Sequence, residues 1–240
     1  MIEVRTLGAA EIVVGRKRLT PKTEGLFALA VYLCVRAGEA SSRDALCEMF
    51  WPGADPAKAR HNLRQMLYRL RKSGIETTED GDLISVPARL VRCDLPGSPD
   101  KARALTVDDE SENVGTFLPH FDPQLAGEYA RWLEQARASV ATRFRAATLR
   151  KVASARSEGR WPEVERLADL LLLSDPLSEE GTFAKAESIA MTGSKAIAVE
   201  LLDRYVSELG DFSDRIALPA MVLRRRIADR VLWRMVSLAS

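Results

Sequence analysis

The sequence predicts a mainly α-helical chain with a small β component, divided into two domains. Three observations lead there. The first 94 residues read, in order, as a sheet, a helix, a short helix, a long basic helix and a hairpin. From residue 124 to residue 210 the apolar spacing is helical throughout, with a 34-residue period inside it. Between the two lie stretches at 96–100 and 108–115 rich in Pro, Gly, Ser, Asp and Glu, with a short apolar segment between them. The expected boundaries are therefore a domain at 1–94, a linker at 95–115 and an all-α repeat domain at 116–232.

Residues 2–7 alternate Ile, Val and Leu with Glu, Arg and Thr, residues 11–14 form a second short apolar run, and Arg16, Lys17, Arg18 and Leu19 follow Gly15. These predict a small antiparallel sheet. Residues 24–37 are helical, with Leu26, Leu29, Ala30, Leu33 and Cys34 on one face and Gly38 as the stop. Ser41 and Asp44 have the spacing of a capping box, with Asp in place of the usual Glu. They would start a short helix carrying Leu46, Met49 and Phe50, which Trp51, Pro52 and Gly53 end. Residues 75–77 and 83–86 are expected to pair around a turn at Glu79, Asp80 and Gly81.

The stretch from Pro56 to Gly74 carries the functional signal. Asp55 can cap it, Pro56 suits its first position, and Gly74 suits its left-handed end. Leu63, Met66, Leu67 and Leu70 recur at i, i+3, i+4 and i+7 and form one apolar stripe. The opposite face holds Lys58, His61, Gln65, Tyr68 and Lys72, with Arg64 on its flank. Six Lys or Arg and no acid fall between 56 and 72. Such a face is either solvated charge on an ordinary helix or the surface of a recognition helix. In the second case Arg and Lys meet phosphates or guanine edges in the major groove, and Gln, His and Tyr read bases or backbone.

The order of elements in residues 1–94 is that of a winged helix: antiparallel sheet, three helices and a C-terminal hairpin. The net charge of +1 conceals an uneven distribution. Residues 1–95 hold 15 Lys or Arg against 12 Asp or Glu, and residues 96–240 hold 20 against 22. Cys34, Cys47 and Cys93 show no metal-ligand spacing and no disulfide framework, which points to a reducing compartment. There is no signal peptide and no membrane-spanning apolar run, so a cytoplasmic protein without membrane partners is expected. No phosphate loop, nucleophile elbow or metal-binding histidine pair occurs, and His61 and His120 are isolated. Neither catalysis nor a cofactor is expected.

Ser42, Arg43, Asp44, Leu46, Trp51, Pro52, Ala59, Arg60, Asn62, Leu63, Arg64, Gln65, Leu70 and Arg71 stand in register with the pattern of the Streptomyces antibiotic regulatory proteins. The resemblance runs from about residue 2 to residue 94. One departure is the acidic hairpin tip, Glu79, Asp80, Gly81 and Asp82, which carries Asp82 where the family often has an aromatic residue. An acidic tip repels phosphate, so deep insertion into a minor groove is not expected. In the second domain, Gly159 and Gly193 lie one tetratricopeptide period apart. Leu149 with Phe183, Val152 with Ala186, Leu167 with Leu201 and Asp169 with Asp203 share that offset. Either a tetratricopeptide-like repeat or a plain helical bundle fits. Phe117, Leu118 and Pro119, then Gly159 and Arg160, then Asp175, Pro176, Leu177, Glu179 and Glu180 resemble the bacterial transcriptional activator domain. Leu218 to Ile227 resembles its closing helix, and Gly181 departs from the usual small residue or His.

Together these resemblances imply a cytoplasmic, nucleoid-associated transcriptional activator. It would bind double-stranded promoter DNA at direct repeats, as a homodimer on DNA, and contact RNA polymerase holoenzyme. The residues expected at DNA are Lys58, Arg60, His61, Arg64, Gln65, Tyr68, Arg69 and Lys72, with Arg60, Arg64, Gln65 and Tyr68 at base edges or close backbone. The alternative is a protein-interaction or ligand-sensing adaptor that works through the helical repeats without specific DNA binding.

Overall fold

The computed structural model describes residues 1–95, 116–125, 127–209 and 217–229. By packing, the chain forms two compact units, Met1–Arg143 and Phe144–Ser240. In the first, β1 (Ile2–Arg5) pairs antiparallel with β2 (Glu11–Val14), and β2 with β3 (Lys17–Leu19). The two-residue alternation turns Ile2, Val4 and Ile12 into the core. The expected antiparallel sheet is in fact mixed. A fourth strand, β7 (Val91–Cys93), lies parallel to β1 with Ile2 opposite Val91 and Val4 opposite Cys93, giving the order β3-β2-β1-β7. A parallel neighbour is reached through a long connection rather than a tight turn, so no local turn signal announces it. The Asp94 carboxylate secures the junction, accepting from the backbone N–H groups of Thr6 and Leu7 at 2.7 and 2.8 Å and from the Thr6 hydroxyl at 2.6 Å.

Helix α1 (Glu24–Val35) is buried at every position from Phe27 to Cys34, not on one face alone. A helix apolar all round needs cover on every side. The sheet and a neighbouring helix supply part of it, and residues 116–125 and 127–143 supply the rest. There the Leu118 N–H donates to the Thr6 carbonyl at 2.7 Å. Phe121 sets its ring edge-on to Phe27, with centroids 5.0 Å apart. The first part of α4 (Glu128–Ser157) brings Tyr129 to 5.2 Å from Phe50 and Trp132 to 5.1 Å from Tyr32. The sequence divides the chain at 95–115, where composition changes. The packing division falls at Arg143, because these rings complete the first core.

Two further helices and a hairpin complete the unit: α2 (Arg43–Phe50), α3 (Pro56–Lys72), β5 (Thr78–Asp80) and β6 (Leu83–Ser85). Ser42 rather than Ser41 caps α2, its hydroxyl accepting from the Ala45 N–H at 3.1 Å. Ser41 is drawn into β4 (Ser41–Ser42), where it lies opposite Ile84, so the extended N-cap position falls one residue later. The hairpin also starts later than expected. Thr78 lies opposite Ser85 and the loop is Gly81 and Asp82.

The second unit contains the end of α4, then α5 (Trp161–Ser174), α6 (Glu179–Met191), α7 (Lys195–Leu209) and α8 (Ala217–Ala228). Successive helices pack on one another as hairpins. The 34-residue offset has a physical counterpart, since Val164 and Ala198, Ala168 and Leu202, and Leu171 and Tyr205 are buried in pairs on α5 and α7. Val152 and Ala186 are likewise both buried. Asp169 and Asp203 each hold the next helix, through Lys185 at 2.7 Å and Arg224 at 2.5 Å. Gly181, the departure noted above, is a close-approach position. A Cβ there would meet Leu171 at 3.1 Å and Leu172 at 3.2 Å, so its absence lets α6 lie tightly on α5. Among the described residues no helix is long and apolar enough to cross a membrane. The expected linker, apart from Leu95, and the residues after Asp229 lie outside the described ones.

Candidate nucleic-acid interface

Helix α3 is fixed at both ends by its own sequence. At the start, the Asp55 carboxylate accepts from the Lys58 N–H at 3.0 Å, a cap that contributes about 1 kcal/mol, and Pro56 occupies a position where no N–H is needed. At the end, the Ile75 N–H donates to the Leu70 carbonyl at 3.1 Å and the Gly74 N–H to that of Arg71 at 2.9 Å. This is a Schellman closure, with Leu70 and Ile75 both fully buried as its apolar contact. It explains why Ile75 belongs to the helix end and not to the hairpin. Gly74 has φ +98°, and a Cβ there would lie 2.9 Å from Val14 Cγ1. Lys17 adds a bond from Nζ to the Lys72 carbonyl at 2.8 Å.

Between these ends the stripe works as expected on one side. Ala59, Leu63, Leu67 and Leu70 are buried, and Met66 is half-buried. Burying such side chains is worth roughly 1.5–3 kcal/mol each for the larger ones, which anchors the axis of α3 against the core. Lys58, His61, Arg64, Gln65, Tyr68, Arg69 and Lys72 are exposed, and Tyr68 keeps 58% of its surface in solvent. Among the described residues, none of these seven side chains forms a hydrogen bond or ion pair with the rest of the protein. The face is a row of cations and hydrogen-bonding groups held rigidly by its back side. It can take a polyanion without first breaking internal bonds.

Arg60, the eighth expected residue, is placed differently. Its Nη2 and Nε both donate to Asp44 Oδ1, at 2.7 and 3.2 Å, and that bond raises the guanidinium above its ordinary value. Arg43 belongs to the motif but is not among the expected site residues. It joins Arg60, Leu63 and Arg64 in lining an open cleft of about 350 Å³. The hairpin bears on this cleft through Glu79, whose carboxylate accepts from both Arg43 and Arg71. Burial opposes ionisation of Glu79, but the bonds from Arg71 and Arg43 outweigh it and hold the carboxyl below the usual range. Thus Glu79 is a neutralised clamp between hairpin and helices. The acidic character of the hairpin end rests on the exposed Asp80 and Asp82. Among the described residues, no group of three or more His, Cys, Asp or Glu could hold a metal ion.

No protein-family model matches this sequence, and no curated protein matches it. Among solved structures, one of Mycobacterium tuberculosis EmbR in complex with low affinity phosphopeptide is similar, with a TM-score of 0.64 at 15% identity. The likeness covers 95% of this chain and 65% of that one, so this chain spans about two thirds of the length of EmbR in that structure. At this identity the shared property is the fold.

Proposed function

We propose that the chain is a sequence-specific DNA-binding transcriptional activator. Helix α3 lies in the major groove, and the helical unit serves protomer and polymerase contacts or effector sensing. One observation carries the reading. Four cations of α3 (Lys58, Arg64, Arg69 and Lys72) stand exposed and, among the described residues, without protein partners beside Gln65, Tyr68 and His61, on a helix whose other face is locked into a core. A surface charge run usually exchanges ion pairs with nearby acids, and α3 has no acid between 56 and 72. The register of the antibiotic-regulator motif and the fold shared with EmbR support the same reading.

In this proposal two protomers bind direct repeats of promoter DNA head to tail. The 34-residue helical hairpins form a tetratricopeptide-like surface that meets RNA polymerase. Selection of bound sequences from a random duplex pool with the full 240-residue chain tests it. Two similar half-sites in one orientation, about one helical turn apart, are the expected result. A single half-site keeps DNA recognition and removes the pairing. Binding without sequence preference that vanishes with added salt rejects the proposal in favour of an adaptor acting through the helical repeats.

A further inference from the structure

We propose that Asp44 is a positioning residue for base recognition. It holds the Arg60 guanidinium in one plane so that its outward edge reads a guanine. The inference rests on the DNA-binding function proposed above and assigns a role within it that the exposed face of α3 does not contain.

The donor count of the arginine leads to it. A guanidinium carries five N–H groups. Asp44 Oδ1 takes the one on Nε at 3.2 Å and one of the two on Nη2 at 2.7 Å. Three remain, both on Nη1 and the second on Nη2, and one from each of these nitrogens forms the end-on fork. That fork matches guanine O6 and N7 in the major groove. An arginine with no partner must lose rotamer freedom on meeting a base, whereas one already held through its Nε edge has lost it beforehand.

Stability offers no competing explanation. Both side chains are more than half exposed, at 53% and 69%, and exposed ion pairs contribute little to folding. The pair links different helices, Asp44 in the first turn of α2 and Arg60 in the second turn of α3. It therefore fixes the side chain relative to both α2 and α3 and not only to its own helix. Arg64, one turn further along the same cleft, has no such partner among the described residues. The two arginines are thus prepared differently. Arg60 is pre-set for a directional contact, and Arg64 is free to follow a phosphate.

The test uses the full chain and the same random-pool selection, with the wild type, Asp44→Asn, Asp44→Ser, Arg60→Lys and Arg60→Ala. Asparagine and serine remove the acceptor charge while keeping a polar group in the first turn of α2. If Asp44 positions Arg60, every variant loses preference at the same one or two base pairs, by about tenfold in discrimination, and keeps the rest of the motif. Arg60→Lys retains the salt dependence of binding, because its charge persists while its fork is gone. A double variant, Asp44→Asn with Arg60→Ala, is no less selective than Arg60→Ala alone. If the Asp44 variants bind all sequences more tightly with an unchanged motif, Asp44 merely neutralises Arg60 and the proposal is overturned. An intact motif in Arg60→Ala overturns it as well. A wild type that enriches nothing removes the DNA-binding function itself, an outcome distinct from an unchanged motif in the variants.

Discussion

Arg64 and Gly74 show how differently two residues of one helix can matter. Arg64 is exposed and has no partner among the described residues, so replacing it with alanine should leave stability unchanged within about 0.5 kcal/mol. Its effect should appear on DNA. A base contact predicts a loss of about 1–3 kcal/mol in specific affinity, and a phosphate contact predicts a salt slope lower by about one unit. Titrations at several salt concentrations separate the two, and no change in either would remove Arg64 from the interface. Gly74 touches no ligand in this scheme, yet its φ of +98° and the 2.9 Å approach to Val14 make it intolerant of a side chain. Gly74→Ala should cost on the order of 1–3 kcal/mol in denaturant unfolding. Cys34 and Cys93 belong to a third kind. Burial pushes both thiols up to about 12, so neither forms thiolate at neutral pH. Alkylation of the native protein should be slow at both and become fast only in denaturant. Rapid labelling of Cys34 at pH 7 would contradict the burial described.

At the scale of elements, the hairpin is the part whose attachment depends on pH. Glu79 has a folded-state pKa below its unfolded value, so its contribution is present above the ordinary Glu range. It is lost as pH falls through the lowered value. With two partly exposed pairs the effect is on the order of 1 kcal/mol at neutral pH. Thermal unfolding of Glu79→Gln should therefore fall below wild type at pH 7 and converge with it toward pH 3. Parallel curves across that range would remove Glu79 as the clamp. The elements also show what could be read from sequence and what could not. Helix α3 was fully legible, because cap, proline, apolar period and terminal glycine agree over one short stretch. The capping serine and the hairpin start were displaced because neighbours compete for the same residues. Ser41 is taken by pairing with Ile84, and Ile75 by the Schellman closure. The strand β7 had no local signature, since its partner lies almost ninety residues earlier. The same blindness hid the Asp44–Arg60 pair, sixteen positions apart on two helices. Both residues were visible in the motif, but their contact was not.

For the whole molecule, the main feature the sequence reading misses is the cover that residues 116–125 and 127–143 give to α1. A signal was present. From Phe27 to Cys34 the helix has no polar face, which means that one sheet and one helix cannot bury it. Phe121→Ala should cost about 3–5 kcal/mol in unfolding of the first unit, as expected of a fully enclosed ring. A cost below 1 kcal/mol would show that the ring is dispensable. There is a consequence for how the first unit can be handled and inherited. A winged helix that finishes at its last strand can be transplanted between proteins as a self-sufficient part. Here a fragment ending at Leu95 would leave Phe27, Tyr32 and Phe50 without the rings of Phe121, Trp132 and Tyr129 that cover them, and it should bind hydrophobic dyes and aggregate. A fragment running to Arg143 should stay dispersed and resist proteases. The sheet-and-helix unit and the first turns of the following helix would then travel together, with no seam between them at which either could be exchanged alone.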